Sequence, residues 1–219
     1  MPKIKCAIFD MDGLMFNTEY IRGVMLIDVA AEFGYTVTMA TRCKMLGRSR
    51  ADIYDILRGD CGADFPVDAI LKERTKREEV YYQEHGVPVK KGLFNLLRYL
   101  KSQNILVAVC SSTALDIVER RLEATGVKPY IDYVVGGNMV KHSKPDPTIF
   151  LLAKDYFHMD AKDCMIFEDS KDGILAAYNA HIPVICVPDL VEHDDDITKL
   201  TYRTVKDLDE VIDVLEEDA

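Results

Sequence analysis

The feature that most narrows the fold is a set of short apolar runs without polar alternation, at residues 4–9, 105–110, 164–167 and 183–187, with a weaker one at 133–135. Each is rich in Ile, Val, Phe or Cys. A strand covered on one face alternates apolar with polar side chains, whereas a strand covered on both faces does not. Helical periodicity fills the gaps. Leu93, Leu96, Leu97 and Leu100 share one face of 92–101, and Ile117, Val118 and Leu122 share one face of 114–124. Segments 146–157 and 172–180 read the same way. Strands alternating with helices predict an α/β fold, a doubly wound, Rossmann-like parallel sheet.

One stretch departs from this rhythm. From residue 17 to 86 the pattern is helical throughout, with expected helices at 20–33, 49–57 and 67–84. Gly34 and Gly86 are placed to stop the first and last, and Ser49 to cap the second. The expected organisation is therefore a core domain of 1–16 plus 88–219 that carries the catalytic motifs, and an all-helical cap domain of 17–87 inserted after the first strand.

Composition limits the partners. The 219 residues carry a formal net charge of -10 and no basic run, which argues against nucleic acid. No apolar run approaches the ~20 residues of a membrane span, and the first apolar run is too short for a signal-peptide core. The six cysteines form no CxxC pair, and four of them sit inside strand-like runs as small buried hydrophobes. A cytoplasmic protein without a membrane partner is expected, with a monomer as the default. The acidic clusters at 192–196 and 216–218 read as a solvated loop and tail.

In open parallel sheets, ligands bind beyond the carboxyl ends of the strands. The residues at those positions are Asp10-Met11-Asp12-Gly13, Ser111-Ser112-Thr113 and Glu168-Asp169-Ser170, with Lys144 in the loop after the weak strand. Taken singly, each has a plain structural reading as a turn, a helix cap or a loop lysine. Together they form a concentrated acidic cluster whose self-repulsion a divalent cation would relieve. Carboxylate and carbonyl oxygens suit Mg²⁺. Lys144 adds positive charge, and Ser111 with nearby N–H groups can hold phosphate oxygens. The set suits a phosphoryl group attacked in line by one carboxylate.

These motifs, in this order, resemble those of haloacid dehalogenase-type phosphatases with a helical cap, in the β-phosphoglucomutase and sugar-phosphatase branch. The likeness rests on Phe9-Asp10-Met11-Asp12-Gly13-Leu14, Val109-Cys110-Ser111-Ser112, Lys144-Pro145-Asp146-Pro147 with Ile149-Phe150, and Phe167-Glu168-Asp169-Ser170 with Gly173 and Ala176-Ala177. The resemblance implies that Asp10 is the nucleophile and forms an aspartyl-phosphate, and that Asp12 is the general acid and base. It implies Mg²⁺ held by Asp10, the Asp12 carbonyl and Asp169, with Glu168 acting partly through water. Ser111, Ser112 and Lys144 would hold the phosphoryl group. The cap would close over the site and read the leaving group of a small phosphorylated metabolite. Arg48 and Arg50, in Gly47-Arg48-Ser49-Arg50, match a cap segment of the family that reaches the substrate.

Two departures bear on the reaction. Asn17 stands where relatives usually carry Asp. Arg22 falls where β-phosphoglucomutases typically place a histidine that helps keep the phospho-enzyme from water. Its absence favours hydrolysis over the mutase alternative, the interconversion of glucose phosphates. A non-catalytic phospho-acceptor domain of receiver type fits less well, since such domains carry the acceptor Asp on a later strand and have no cap.

Overall fold

The computed structural model describes residues 4–46, 48 and 50–217. In chain order, β1 (Cys6–Phe9) is followed by α1 (Thr18–Glu32), α2 (Met39–Lys44), α3 (Arg50–Cys61), α4 (Val67–His85) and α5 (Leu93–Ser102). Then come β2 (Leu106–Ser111), α6 (Leu115–Ala124), β3 (Tyr133–Gly136), α7 (Thr148–Tyr156), β4 (Cys164–Glu168) and α8 (Lys171–Asn179). The chain ends with β5 (Val184–Cys186), α9 (Asp195–Thr198), β6 (Arg203–Thr204) and α10 (Leu208–Glu217). It divides into two compact units, Met1–Asn17 with Pro88–Ala219, and Thr18–Val87.

The first unit is a parallel six-stranded sheet in the order β3-β2-β1-β4-β5-β6, so the doubly wound reading holds. Strands β1 to β5 are buried almost throughout, on both faces, which explains the unbroken apolar runs. One set of side chains, including Cys6, Ile8, Cys110 and Ile166, packs with Ile149, Phe150 and Ala153 of α7 and Ile174 and Ala177 of α8. The alternate set, including Ala7, Phe9, Val109 and Phe167, is equally buried, and the Phe9 and Phe167 rings lie 4.7 Å apart. The leucine stripe of α5 is fully buried, and α5 packs with α10.

Register sets up the site. Phe9 pairs with Val109 on one side and with Phe167 on the other. Asp10, Ser111 and Glu168 therefore leave the sheet at one edge, beside the point where the strand order reverses. The peptide N–H of Asp10 donates to the Phe167 carbonyl at 3.0 Å, which stitches the first loop to β4.

The second unit is wholly helical. Leu26, Val29 and Ala30 of α1, Leu57 of α3 and Ile70 of α4 share its core with Phe65 and Val37. The Thr38 side chain caps α2 by accepting from Thr41 N, and Gly86 ends α4 with a positive φ. The expected cap at Ser49 lies outside the described residues.

Several elements go beyond the sequence reading. They are α2, α9, β6 and α10. The cluster at 192–196 is not simply a solvated loop: Asp194 caps α9 by accepting from Ile197 N at 3.2 Å. Nor is 216–218 simply a tail, because Glu216 and Glu217 end α10, whose Leu208, Val211 and Val214 are buried. Among the described residues no helix is long and apolar enough to cross a membrane.

Candidate active site

Lys144 sits at the centre of the strand ends. Its Nζ donates to Asp10 Oδ1 at 2.5 Å and to Glu168 Oε1 at 2.6 Å, and its side chain is 6% exposed. It also lies 4.7 Å from the Phe150 ring centroid, so α7 walls the ammonium on its apolar side. Burial alone would lower the Lys144 pKa. The two carboxylates outweigh it and hold Lys144 above its ordinary value, hence charged.

The carboxylates have the opposite problem. The Asp10 pKa stands raised to about 7, because burial, with Glu168 and Asp12 beside it, outweighs the downward pull of Lys144. Burial also raises Asp169 well above the usual carboxylate range, with Glu168, Asp10 and Asp189 adding to it. Without a cation, then, the site holds more negative charge than its lysine balances.

Glu168 is fully buried, and its partners fix it. Its Oε2 accepts from Asp169 N at 2.8 Å, Ser170 N at 2.7 Å and Ser170 Oγ at 2.9 Å. Ser170 Oγ in turn accepts from Gly173 N and caps α8. The backbone of Asp169 is held from the other side, where His193 Nε2 donates to its carbonyl oxygen at 2.7 Å.

Asp12 lies across the site. Arg121 Nη1 donates to its Oδ1 at 2.7 Å, and Thr113 Oγ1 donates to its Oδ2 at 2.7 Å. Ser111 Oγ stands 3.4 Å from the same Oδ2 and accepts from Thr113 N at 3.0 Å.

Asp10, Glu168 and Asp169 each offer one oxygen within 4.8 Å of the others. Asp169 Oδ1 is buried without a hydrogen-bond partner. An orphaned carboxylate oxygen in an all-oxygen donor set with surplus negative charge fits a hard divalent cation.

Of the residues singled out in the sequence, Asp10, Asp12, Ser111, Lys144, Glu168 and Asp169 converge here. Ser112 follows β2 and is exposed. Within the helical unit, Arg48 is exposed. Arg50 opens α3, and its side chain lies outside the described residues. Arg22 is tied internally, donating to Glu19 at 2.8 Å and Glu78 at 3.0 Å, and Glu19 also pairs with Arg42. Sequence reasoning missed Arg121, Asp189 and His193 as neighbours of the site. The strand-end rule, extended to the fourth apolar run, reaches Asp189.

Comparison with known proteins agrees with this geometry. Residues 7–187 match the model of the haloacid dehalogenase-like hydrolase family. The phosphorylated carbohydrates phosphatase of Thermotoga maritima is 28% identical over 179 residues, covering 82% of each chain. Hexitol phosphatase B of Escherichia coli K12 is 26% identical over 215 residues, 94% of this chain and 97% of that one. The crystal structure of a putative beta-phosphoglucomutase from Thermotoga maritima superposes with a TM-score of 0.80 at 26% identity, over 99% of this chain and 100% of that one. With its parallel sheet, its acidic strand ends and a family match spanning most of its length, the chain belongs to the haloacid dehalogenase-like hydrolases and is a phosphoryl-transfer enzyme.

Proposed function

We propose that this enzyme is a Mg²⁺-dependent phosphatase of small phosphorylated metabolites, sugar phosphates above all, working through a phospho-Asp10 intermediate. The observation that carries the reading is the Lys144 bridge between Asp10 and Glu168, set beside the unpartnered Asp169 oxygen. The bridge fixes the orientation of the Asp10 carboxylate and leaves positive charge where phosphoryl oxygens would arrive.

Asp10 attacks phosphorus, the bond from phosphorus to the ester oxygen breaks, and Asp12 gives that oxygen its proton. Water then attacks the phosphorus of the acyl phosphate, Asp12 takes the water's proton, and inorganic phosphate leaves with Asp10 restored. Ser111 stands beside Asp12 to donate to a phosphoryl oxygen. Mg²⁺, held by Asp10, Asp169 and the Asp12 carbonyl, with Glu168 behind them, would supply charge neutralisation for the phosphoryl group. The helical unit, residues 17–87, would serve as the reader of the leaving group. The relatives' activities toward phosphorylated carbohydrates and hexitols support sugar phosphates as the first class to test.

A phosphomutase is the second reading, favoured by the structural likeness to a putative beta-phosphoglucomutase. One assay separates the two. The enzyme is incubated with Mg²⁺ and a panel of sugar and hexitol phosphates, and both free phosphate and isomerised ester are measured. Free phosphate from wild type and none from Asp10→Asn is the expected result. Isomerised ester without free phosphate would replace the phosphatase reading with the mutase.

A further inference from the structure

Beyond β5, the chain turns through Pro188, Asp189 and Leu190. Because β5 pairs with β4 in parallel, this turn emerges at the same edge of the sheet as Glu168 and Asp169. The Asp189 side chain is 8% exposed, and Lys90 Nζ donates to its Oδ1 at 2.5 Å. Its second oxygen, Oδ2, is buried and has no hydrogen-bond partner.

That oxygen shares its surroundings with the cation site. A Cβ placed on Gly13 would lie 2.2 Å from Asp169 Oδ2 and 3.3 Å from Asp189 Oδ2, so both oxygens crowd the same bare glycine in the catalytic turn. Asp169 Oδ1 and Asp189 Oδ2, each buried without a hydrogen-bond partner, are costly unless something nearby donates hydrogen bonds or carries positive charge. Asp189 does not belong to the close oxygen set of Asp10, Glu168 and Asp169, so direct ligation with them is not its role.

We propose that Asp189 is an outer carboxylate of the cation site, its Oδ2 accepting a hydrogen bond from water in the cation's hydration shell. Mg²⁺ retains several waters when bound by few carboxylates, and each water needs an acceptor. Residues in this outer position orient the shell and tune affinity. The inference rests on the cation reading of Asp10, Glu168 and Asp169.

The competing role is a structural tie. Lys90 N also donates to the Met15 carbonyl at 2.9 Å, so the Lys90–Asp189 pair could simply fasten the turn after β5 to the segment before α5. Calorimetric titration of the metal-free enzyme with Mg²⁺ distinguishes these roles, with urea unfolding run in parallel. Asp189→Asn should weaken Mg²⁺ binding by roughly 10–100-fold, and Asp189→Ser should do the same. Lys90→Met removes the tie but keeps the carboxylate, and should leave affinity within a few-fold of wild type. Equal losses in Lys90→Met and Asp189→Asn would overturn the proposal in favour of the tie. So would wild-type affinity in a folded Asp189 variant. Asp169→Asn tests the underlying reading separately: it should abolish binding, and wild-type affinity there would remove the cation site and the role of Asp189 with it.

Discussion

Arg121 reaches from α6 to Asp12, with 2.7 Å between Nη1 and Oδ1 and side-chain exposures of only 10% and 12%. A pair so nearly sealed from water differs from a surface ion pair. Its loss leaves a charge with poor access to solvent, which costs far more than the pair contributes over an apolar replacement. Arg121→Met should therefore destabilise the protein by about 3 kcal/mol. Combining it with Asp12→Asn should recover much of that loss, with a coupling of about 2 kcal/mol between the two sites. Urea unfolding of the four proteins measures it. Additive losses would mean that the pair is energetically no more than a surface contact.

The metal-free enzyme should lose stability as pH rises through the neutral range. Asp10 has its pKa raised from 3.8 to about 7, and Asp169 is raised as well, in both cases chiefly by burial. A carboxyl with a raised folded-state pKa binds its proton more tightly folded than unfolded. Its stabilising contribution is complete below the unfolded value and is lost as pH climbs through the folded one. Lys144, itself raised, stays charged over this window and adds no slope. The expected outcome is a melting temperature that falls between about pH 4 and pH 8 in a chelator, and much less with saturating Mg²⁺. A flat profile without metal would mean that the carboxylates are balanced by the protein alone.

How much of this was legible depended on whether a residue's role is written in its neighbours along the chain. β1, β2 and β4 were, because burial on both faces leaves a continuous apolar run, and the polar residue that ends each run marks the active edge. Asp10, Ser111 and Glu168 follow from that rule. β6 was not, since Arg203 and Thr204 pair only at the sheet edge and both are exposed. Arg121 looks like any arginine on an amphipathic helix, and only the approach of α6 to the first loop gives it a partner. His181 is a subtler case. It follows the C-cap of α8 with φ +56, a left-handed position that favours glycine, so its place reflects backbone geometry that the side chain conceals.

Gly13→Ala should uncouple cation binding from folding, and Gly34→Ala supplies the control. Both glycines hold positive φ, +95 at Gly13 and +83 at Gly34, where an L side chain costs about 1–2 kcal/mol. The two differ in what a methyl group would meet. At Gly34 nothing lies within 4 Å, so the change is confined to the backbone cost. At Gly13 the methyl would lie 2.2 Å from Asp169 Oδ2, closer than any real contact, and the carboxylate must move. Gly13→Ala should thus lose at least as much stability in urea as Gly34→Ala, and it alone should lose Mg²⁺ affinity and phosphate release, each by at least roughly tenfold. Comparable Mg²⁺ affinity in the two variants would show that Asp169 can leave its present position without consequence for the cation, and would remove it from the metal-holding set.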